Sequence, residues 1–274
     1  MAFILFLLKT LRSAQMLLVH AANAAPLSVT RSGSATPNVW TANQPAAEAV
    51  ARRGYTASCA KGPENSLRLD GREPIPMCLM PNDDSISMHV RDKGSWKDCS
   101  DLVDRWNAES RPTSQIFLEF GGNIGTCTLQ VLVATNVSMA HVFEPNPEAL
   151  FYFTSTMRLA DAAYPELNIR ERLKLYPVAV GSEPAKLPIY TENDNLGNTV
   201  LENAFTNALN TVLVNANSTS LCSVAVVRAD DVLPPKLDVG LLKMECAAVD
   251  PSTITCSVIR SFLPVPLLGC AQIP

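Results

Sequence analysis

Two acidic residues lie at or near the ends of short apolar runs, and a glycine-rich turn follows the first run. Glu119 lies in the run IFLEF (116–120), which leads into GGNIG (121–125), and Glu144 follows the run MAHVF (139–143). Short apolar runs that alternate with helical patterns predict parallel strands joined by helices. Ligands of such sheets bind beyond the carboxyl ends of the strands. Both carboxylates are therefore expected at one ligand-binding edge.

The residues around these acids favour a ligand that carries adenosine. Glycines let the backbone of the turn pass close to a ligand, and the helix that follows presents free N–H groups. Glu144, at the end of the second strand, is placed to accept hydrogen bonds from ribose hydroxyls. The dinucleotide pattern G-x-G-x-x-G does not fit, because Asn123 and Thr126 occupy the second and third glycine positions.

The elements that must position these residues follow from the lengths and spacing of the apolar runs. We predict core strands at 116–120, 139–145, 173–181 and 239–245. Two further extended segments are predicted at 223–229 and at 186–192, the latter returning beside the third strand. Helices are predicted from about Lys97, at 127–134 and at 147–163.

Composition excludes several classes of function. The chain has 274 residues, 47% of them hydrophobic, and a net charge of −4. The Lys and Arg residues are scattered, so no nucleic-acid partner is expected. With three histidines and no C-x-x-C pair among eight cysteines, no metal site is expected. His141 lies inside the second strand and is interpreted as a packed histidine.

The cysteines can be interpreted as members of disulfide bonds or as buried packing residues. Cys59, Cys78 and Cys99 lie in a polar, proline-rich front part, where a disulfide between two of them is possible in a secreted protein. Cys127 follows the glycine turn and is interpreted as a small buried packing residue. The sequons Asn136-Val-Ser138 and Asn217-Ser-Thr219 have meaning only in a secretory compartment.

The N-terminus differs from the rest of the chain. Residues 1–24 combine apolar runs with Lys9 and Arg12 and lack acidic residues, which is typical of a targeting segment. A secretory signal is favoured over an organelle transit peptide, and the compartment stays open. No stable membrane span is expected, because Lys9 and Arg12 interrupt the apolar runs. Residues 25–95 are interpreted as a linker and N-terminal extension, and residues 1–55 as dispensable for folding.

Six motifs carry a resemblance to a known family. They are FLEFGGNIG, HVFEPNPEAL, YPVAVGSE, DNLGNTVL, RADDVLPP and DVGLLKME. Their order is that of FkbM-type methyltransferases, which the chain resembles over roughly residues 96–262, and GSWKDCSDLVDRW resembles eukaryotic members. The resemblance implies an α/β fold with the Rossmann-like sheet of S-adenosylmethionine-dependent methyltransferases, lacking its last strands. Residues 96–274 would form this domain, preceded by the irregular extension.

The cofactor implied by the resemblance is S-adenosyl-L-methionine. Glu119 matches the family's acid before the glycine turn, near the methionine end of the cofactor. Gly121, Asn123 and Gly125 match its cradle. Glu144 matches the residue that binds the ribose hydroxyls.

The resemblance also implies an acceptor side of the site. Asn195 and Asn198 are further implied cofactor-binding residues and match an asparagine-containing loop beside the active site, although residues that cap a turn would look the same. Lys243 and Glu245 match the end of the fourth core strand and are the implied catalytic residues, which would orient the acceptor hydroxyl. The implied partner is a small-molecule or glycan acceptor, and the oligomeric state stays open.

The chain departs from the family after Lys243. The family has Asp where this chain has Glu245, and the Gly and Glu expected next are missing, as an insertion around 247–255 would explain. The segment FLPVPLLGCAQIP (262–274) has no strand pattern. Two hypotheses follow: an active O-methyltransferase, or a catalytically inactive relative that binds cofactor or is only structural. An NAD-linked oxidoreductase ranks third.

Overall fold

The fold is known from a computed structural model, which describes residues 37–49, 51–52, 55–80, 85–108, 114–192, 195–201 and 219–244. The predicted targeting segment, residues 1–24, lies outside this description. So do Glu245, the departures that follow it, and Asn217 of the second sequon.

The elements are numbered in chain order. The front part contains β1 (Ala51–Arg52), β2 (Tyr55–Thr56), β3 (Ser66–Leu67), β4 (Ile75–Pro76), α1 (Ser85–Lys93) and α2 (Lys97–Ala108). The middle part contains β5 (Ile116–Phe120), α3 (Thr126–Ala134), β6 (Met139–Phe143), α4 (Pro147–Ala163), α5 (Ile169–Arg172) and β7 (Leu173–Tyr176). The last part contains β8 (Ala179–Val180), β9 (Ala185–Glu192), β10 (Asn195–Leu201), β11 (Thr219–Val227), α6 (Ala229–Val232) and β12 (Leu241–Met244).

A parallel sheet of four strands forms the centre of this mixed α/β fold. Its strand order is β12-β5-β6-β7, and every neighbouring pair is parallel. The chain runs outward from β5 to β7 and then returns to place β12 on the other side of β5. This reversal creates a topological switch point between β5 and β12, where open α/β sheets bind their ligands.

The two faces of the sheet are covered differently. Phe117, Val142 and Leu175 belong to a buried cluster that includes side chains of α2, α3 and α4. On the other face, Leu118 and Phe143 belong to a second cluster, which includes α6 and the segment that follows it. Buried apolar side chains on both faces explain why β5 and β6 read as continuous apolar runs.

Helix α4 begins and ends where the sequence predicts. Asn146 is its N-cap, whose side chain accepts a hydrogen bond from the backbone N–H of Glu148 (2.9 Å), and Pro147 occupies the first turn. An asparagine cap followed by proline is a strong helix start, because both satisfy or remove unpaired N–H groups. The strand 116–120 is likewise confirmed at both ends.

The predicted third strand, 173–181, is wrong in its extent. It divides into β7 and β8, and β8 belongs to a second sheet with the order β10-β9-β11-β8. Pro177 lies between them and has no N–H to donate to a sheet. The prediction that 186–192 returns beside the third strand is also wrong, because β9 pairs with β10 and β11.

The front part is joined to the core by main-chain contacts. Trp40 exchanges two backbone hydrogen bonds with Leu175, at the outer edge of β7 (2.8 and 3.0 Å). The Ala47 N–H donates to Thr154 Oγ1 in α4 (2.8 Å). The linker interpretation therefore does not hold for residues 37–49. Helix α1, which was not predicted, also lies in this part.

Two disulfides occur among the described residues. Cys59–Cys78 confirms a disulfide within the front part. The second, Cys99–Cys127, corrects the interpretation of Cys127 as a packing residue only. Cys127 lies in the first turn of α3 and Cys99 in α2, so the bridge joins two helices that pack together. Sequence spacing could not show this pairing, because it depends on how the helices pack.

In the described part of the chain, no helix combines the length and the apolar character needed to cross a membrane.

Candidate functional site

The carboxyl ends of β5 and β12 bring a carboxylate and an ammonium group together at the switch point. Glu119 and Lys243 are register partners across these strands, and Lys243 Nζ lies 2.9 Å from Glu119 Oε1. Thr128 Oγ1, in α3, donates to the other oxygen, Oε2. Glu119 is fully buried, whereas the Lys243 side chain is 11% exposed. Lys243 is therefore the accessible member of the pair.

Glu144 lies on the next strand end in a different environment. Its Oε2 accepts from the backbone N–H of Asn123 (2.7 Å), and its Oε1 accepts from that of Asn146 (2.7 Å). Burial raises the pKa of Glu144 to about 7, although these two hydrogen bonds act in the opposite direction. A carboxylate offers about four acceptor positions, so two backbone donors leave capacity for further donors.

The glycine turn has the backbone conformation that its sequence demands. Gly121 and Gly125 have φ values of 85°, and Asn123 between them has φ 48°. This left-handed region favours glycine and tolerates asparagine. Gly125 is also the N-cap of α3, so the free N–H groups of the helix start directly at the turn.

Two glycines of the turn serve packing as well as ligand access. A Cβ on Gly122 would meet Val142 Cγ1 at 2.5 Å, and one on Gly125 would meet Met157 Cε at 2.9 Å. Phe153 of α4 lies against both positions. These glycines thus allow α4 to approach the turn closely, a requirement that is independent of any ligand.

Two buried polar atoms of the turn lack partners among the described residues. They are Asn123 Oδ1 and Thr126 Oγ1. Thr126 is 4% exposed. An unsatisfied buried polar atom costs about 1–3 kcal/mol, and a bound ligand with polar groups would remove that cost. The turn therefore fits a polar ligand at the start of α3.

Sequence reasoning missed the role of the threonines. Thr126 and Thr128 flank Cys127 in the first turn of α3, where one has an unpartnered hydroxyl and the other hydrogen-bonds Glu119. The signal was present as the T-x-T spacing after the last glycine. It has no meaning until α3 is packed against β5.

Of the remaining implied site residues, the structure describes Asn195 and Asn198 but not Glu245. Asn195 and Asn198 lie in strand β10 and not in a loop, which corrects the loop assignment. The register between β10 and β9 shifts between Asn195 and Thr199, so the hairpin contains an irregularity there. Glu245 lies outside the described residues.

His141 is confirmed as a packed residue. It is 2% exposed, and its Nδ1 lies 2.9 Å from Tyr176 Oη. Burial lowers the pKa of His141 to about 4 and raises that of Tyr176 to about 12. Both groups are therefore neutral at physiological pH. No cluster of His, Cys, Asp and Glu in the described part of the chain could hold a metal ion.

The arrangement can bind a ligand through hydrogen bonds of both kinds. Glu144 supplies acceptors, while α3 supplies free N–H groups and Lys243 an ammonium group. Comparisons with known protein families, with characterised proteins and with solved structures find no match to this chain.

Proposed function

We propose that the chain is an S-adenosylmethionine-dependent methyltransferase that acts on a hydroxyl of a sugar or a small metabolite. The observation that carries the proposal is the meeting of Glu119, Lys243 and Glu144 beside a glycine turn at the switch point of a parallel sheet. The ordered motifs of the sequence support it. The unpartnered Asn123 Oδ1 and Thr126 Oγ1 support a polar ligand at this place.

The cofactor would be held by the first half of the sheet. Glu144 would accept hydrogen bonds from ribose hydroxyls with the acceptor positions that Asn123 and Asn146 leave open. Asn123 and Thr126 would contact its polar groups. When bound, the cofactor supplies a methyl group on a sulfonium, which is electrophilic without activation by the protein.

Lys243 would orient the acceptor hydroxyl. Its Nζ already lies 2.9 Å from Glu119 Oε1, so Lys243 would act as a hydrogen-bond donor to the acceptor and not as a base. Glu119 is fully buried and would position Lys243, with Thr128 fixing the carboxylate from the other side. Alignment of the acceptor oxygen is then the main contribution of the protein, because correct placement alone can lower a barrier by several kcal/mol. Glu245 would share this task.

A catalytically inactive relative is the second candidate. Glu119 and Lys243 satisfy one another without a ligand, and the sequence departs from the family directly after this point. A site that keeps its cofactor half would bind and not turn over.

Two measurements separate these functions. Calorimetry with S-adenosylhomocysteine tests binding, and the same titration with NAD tests a dehydrogenase. Transfer of a labelled methyl group to a mixture of sugars and metabolites tests turnover. Binding of S-adenosylhomocysteine with transfer supports the methyltransferase. Binding without transfer supports an inactive relative that keeps the cofactor site, and absence of binding refutes the methyltransferase and leaves only the structural relative.

A further inference from the structure

We propose that Asn136 is an N-glycosylation site at the end of the sheet opposite the candidate ligand site. Asn136 lies in the sequon Asn136-Val-Ser138, which by itself is a weak signal. The fold adds three observations that the sequence does not contain. The sequon is exposed, its asparagine amide is oriented by a hydrogen bond, and the core contains disulfide bonds.

The sequon lies on the surface between α3 and β6. Asn136 and Ser138 are exposed, while Val137 between them is 1% exposed and anchors the segment. The Val137 carbonyl accepts from the Arg172 guanidinium (2.6 Å from Nη2), and the Ser138 N–H donates to the Gln115 carbonyl (2.8 Å). The loop thus has a fixed backbone with both recognition side chains facing solvent.

The amide of Asn136 is oriented by Trp106. The indole Nε1 of Trp106 donates to Asn136 Oδ1 over 2.6 Å. An indole nitrogen can only donate, so the contacting atom must be the oxygen. The nitrogen Nδ2, to which an N-glycan is attached, takes no part in this bond. A glycan at Nδ2 therefore leaves the contact with Trp106 intact.

The core indicates a compartment in which N-glycosylation occurs. Cys59–Cys78 and Cys99–Cys127 form disulfides, and Cys78 and Cys99 have no exposed surface. Disulfides persist in secreted proteins and in the lumen of the secretory pathway, and are rare in reducing compartments.

The chemistry is transfer of an oligosaccharide from a lipid diphosphate donor. Asn136 Nδ2 forms a bond to C1 of the first sugar, the bond from C1 to the diphosphate oxygen breaks, and one amide proton is lost. Asn136 precedes the amino end of β6, whereas Glu119 and Glu144 lie at the carboxyl ends of their strands. A strand of five residues spans about 16 Å, so the glycan would not cover the candidate site.

The test uses the full chain with its own N-terminus, produced in eukaryotic cells. N-glycans are released with an amidase in heavy-oxygen water, which converts each glycosylated asparagine to a labelled aspartate, and an untreated sample controls for deamidation. We expect labelled Asp at position 136. Ser138→Ala should abolish the label because it removes the hydroxyl of the sequon, and Ser138→Thr should retain it because it keeps a hydroxyl there. Neither change alters a residue of the Asn136–Trp106 contact. Asn217→Gln should leave the label at position 136 unchanged.

Unlabelled Asn136 in the wild-type chain overturns the proposal, whichever compartment the chain enters. Label that survives in Ser138→Ala overturns it as well, since the sequon would then not be the determinant. Thermal melting of the deglycosylated variants shows whether each is folded. If Ser138→Ala does not fold, the comparison of wild type with Ser138→Thr and direct mapping of the wild-type peptide still decide the outcome.

Discussion

At the scale of single residues, the two strand-end acids differ in how their charge is stabilised. Glu119 has an ammonium group at 2.9 Å, whereas Glu144 has two backbone N–H donors, and burial opposes its charge. Burial is the larger effect on Glu144 and raises its pKa to about 7. Perturbed carboxyl groups of this kind cluster at functional sites. Glu144 is accordingly the residue whose substitution informs most about cofactor binding.

We expect Glu144→Ala to weaken S-adenosylmethionine binding by about 1–3 kcal/mol, the usual loss for hydrogen bonds to a charged group. Calorimetry on the folded variant measures it. Glu166→Ala, which changes an exposed acid in the turn after α4, is the matched control and should bind as wild type does. Unchanged affinity of a folded Glu144→Ala would contradict the ribose assignment.

The raised pKa of Glu144 also predicts a pH dependence of stability. The folded pKa of about 7 exceeds the ordinary value of 4.5, so the folded state holds the proton more tightly than the unfolded state between these values. Stability is therefore lost as pH rises through this window, by an amount on the order of 3 kcal/mol.

Glu144→Gln removes this titration and keeps the shape of the side chain. Relative to wild type, its free energy of unfolding should rise between about pH 4 and about pH 8. Urea denaturation at both pH values measures the difference. His141 titrates in both proteins, so its opposite contribution cancels in the comparison. A difference that does not vary with pH would show that folding leaves the pKa of Glu144 unchanged.

At the scale of elements, the helix that follows the glycine turn is held by a covalent bond. Cys127 in the first turn of α3 is bridged to Cys99 in α2 across a sequence separation of 28 residues. Thr128, the next residue, is hydrogen-bonded to Glu119. The disulfide thus fixes the helix start that supplies the turn's free N–H groups.

Replacing both Cys99 and Cys127 by serine should lower the free energy of unfolding by about 3–4 kcal/mol, because the disulfide no longer restricts the chain entropy of the unfolded state. It should also weaken S-adenosylhomocysteine binding, because α3 is then less firmly held. Cys222→Ser, at a free and exposed cysteine, is the control and should change neither quantity. Stability equal to that of wild type would mean that the bridge does not form.

At the scale of the whole molecule, the front part of the chain packs against one edge of the central parallel sheet and against α4. Trp40 pairs with the outer edge of β7, and Arg158 of α4 donates to the Gln44 carbonyl (2.6 Å). At the other edge, β12 pairs with β5 alone among the described strands.

Removal of residues 1–36 and removal of residues 1–49 should have different effects. The shorter truncation keeps Trp40 and should melt as the full chain does. The longer truncation loses two backbone hydrogen bonds and the burial of Ala42, and should lose on the order of 2–4 kcal/mol. Thermal and urea denaturation compare the two. Equal stability would restore the linker interpretation.

The ending of the chain should affect turnover and not cofactor binding. In the proposed function, cofactor contacts would come from the first half of the sheet, whereas turnover would depend on placing an acceptor oxygen, where small errors can cost about 10²-fold in rate. If the second candidate, the inactive relative, is correct, the chain should bind S-adenosylmethionine and methylate poorly or not at all. Replacing residues 247–274 with the ending of a complete family member should restore transfer with little change in affinity. Robust transfer by the present chain would refute this.

Local sequence was sufficient for most elements of the central sheet. IFLEF, Asn146-Pro147 and the glycine turn each predict their own conformation, because apolar periodicity, capping and left-handed φ angles depend on neighbouring residues. The acids at the strand ends could be recognised for the same reason. Errors arose at Pro177, where one apolar run passes from one sheet into another.

Tertiary structure alone decided which residues meet. Glu119 and Lys243 are far apart in the chain and become partners through the parallel register of β5 and β12. Cys99 is bridged to Cys127 because their helices pack together, and Trp40 pairs with Leu175 because the front part of the chain packs against the sheet edge. A pattern of residue types carries no information about such long-range pairs, because burial and strand order are set by the whole chain at once.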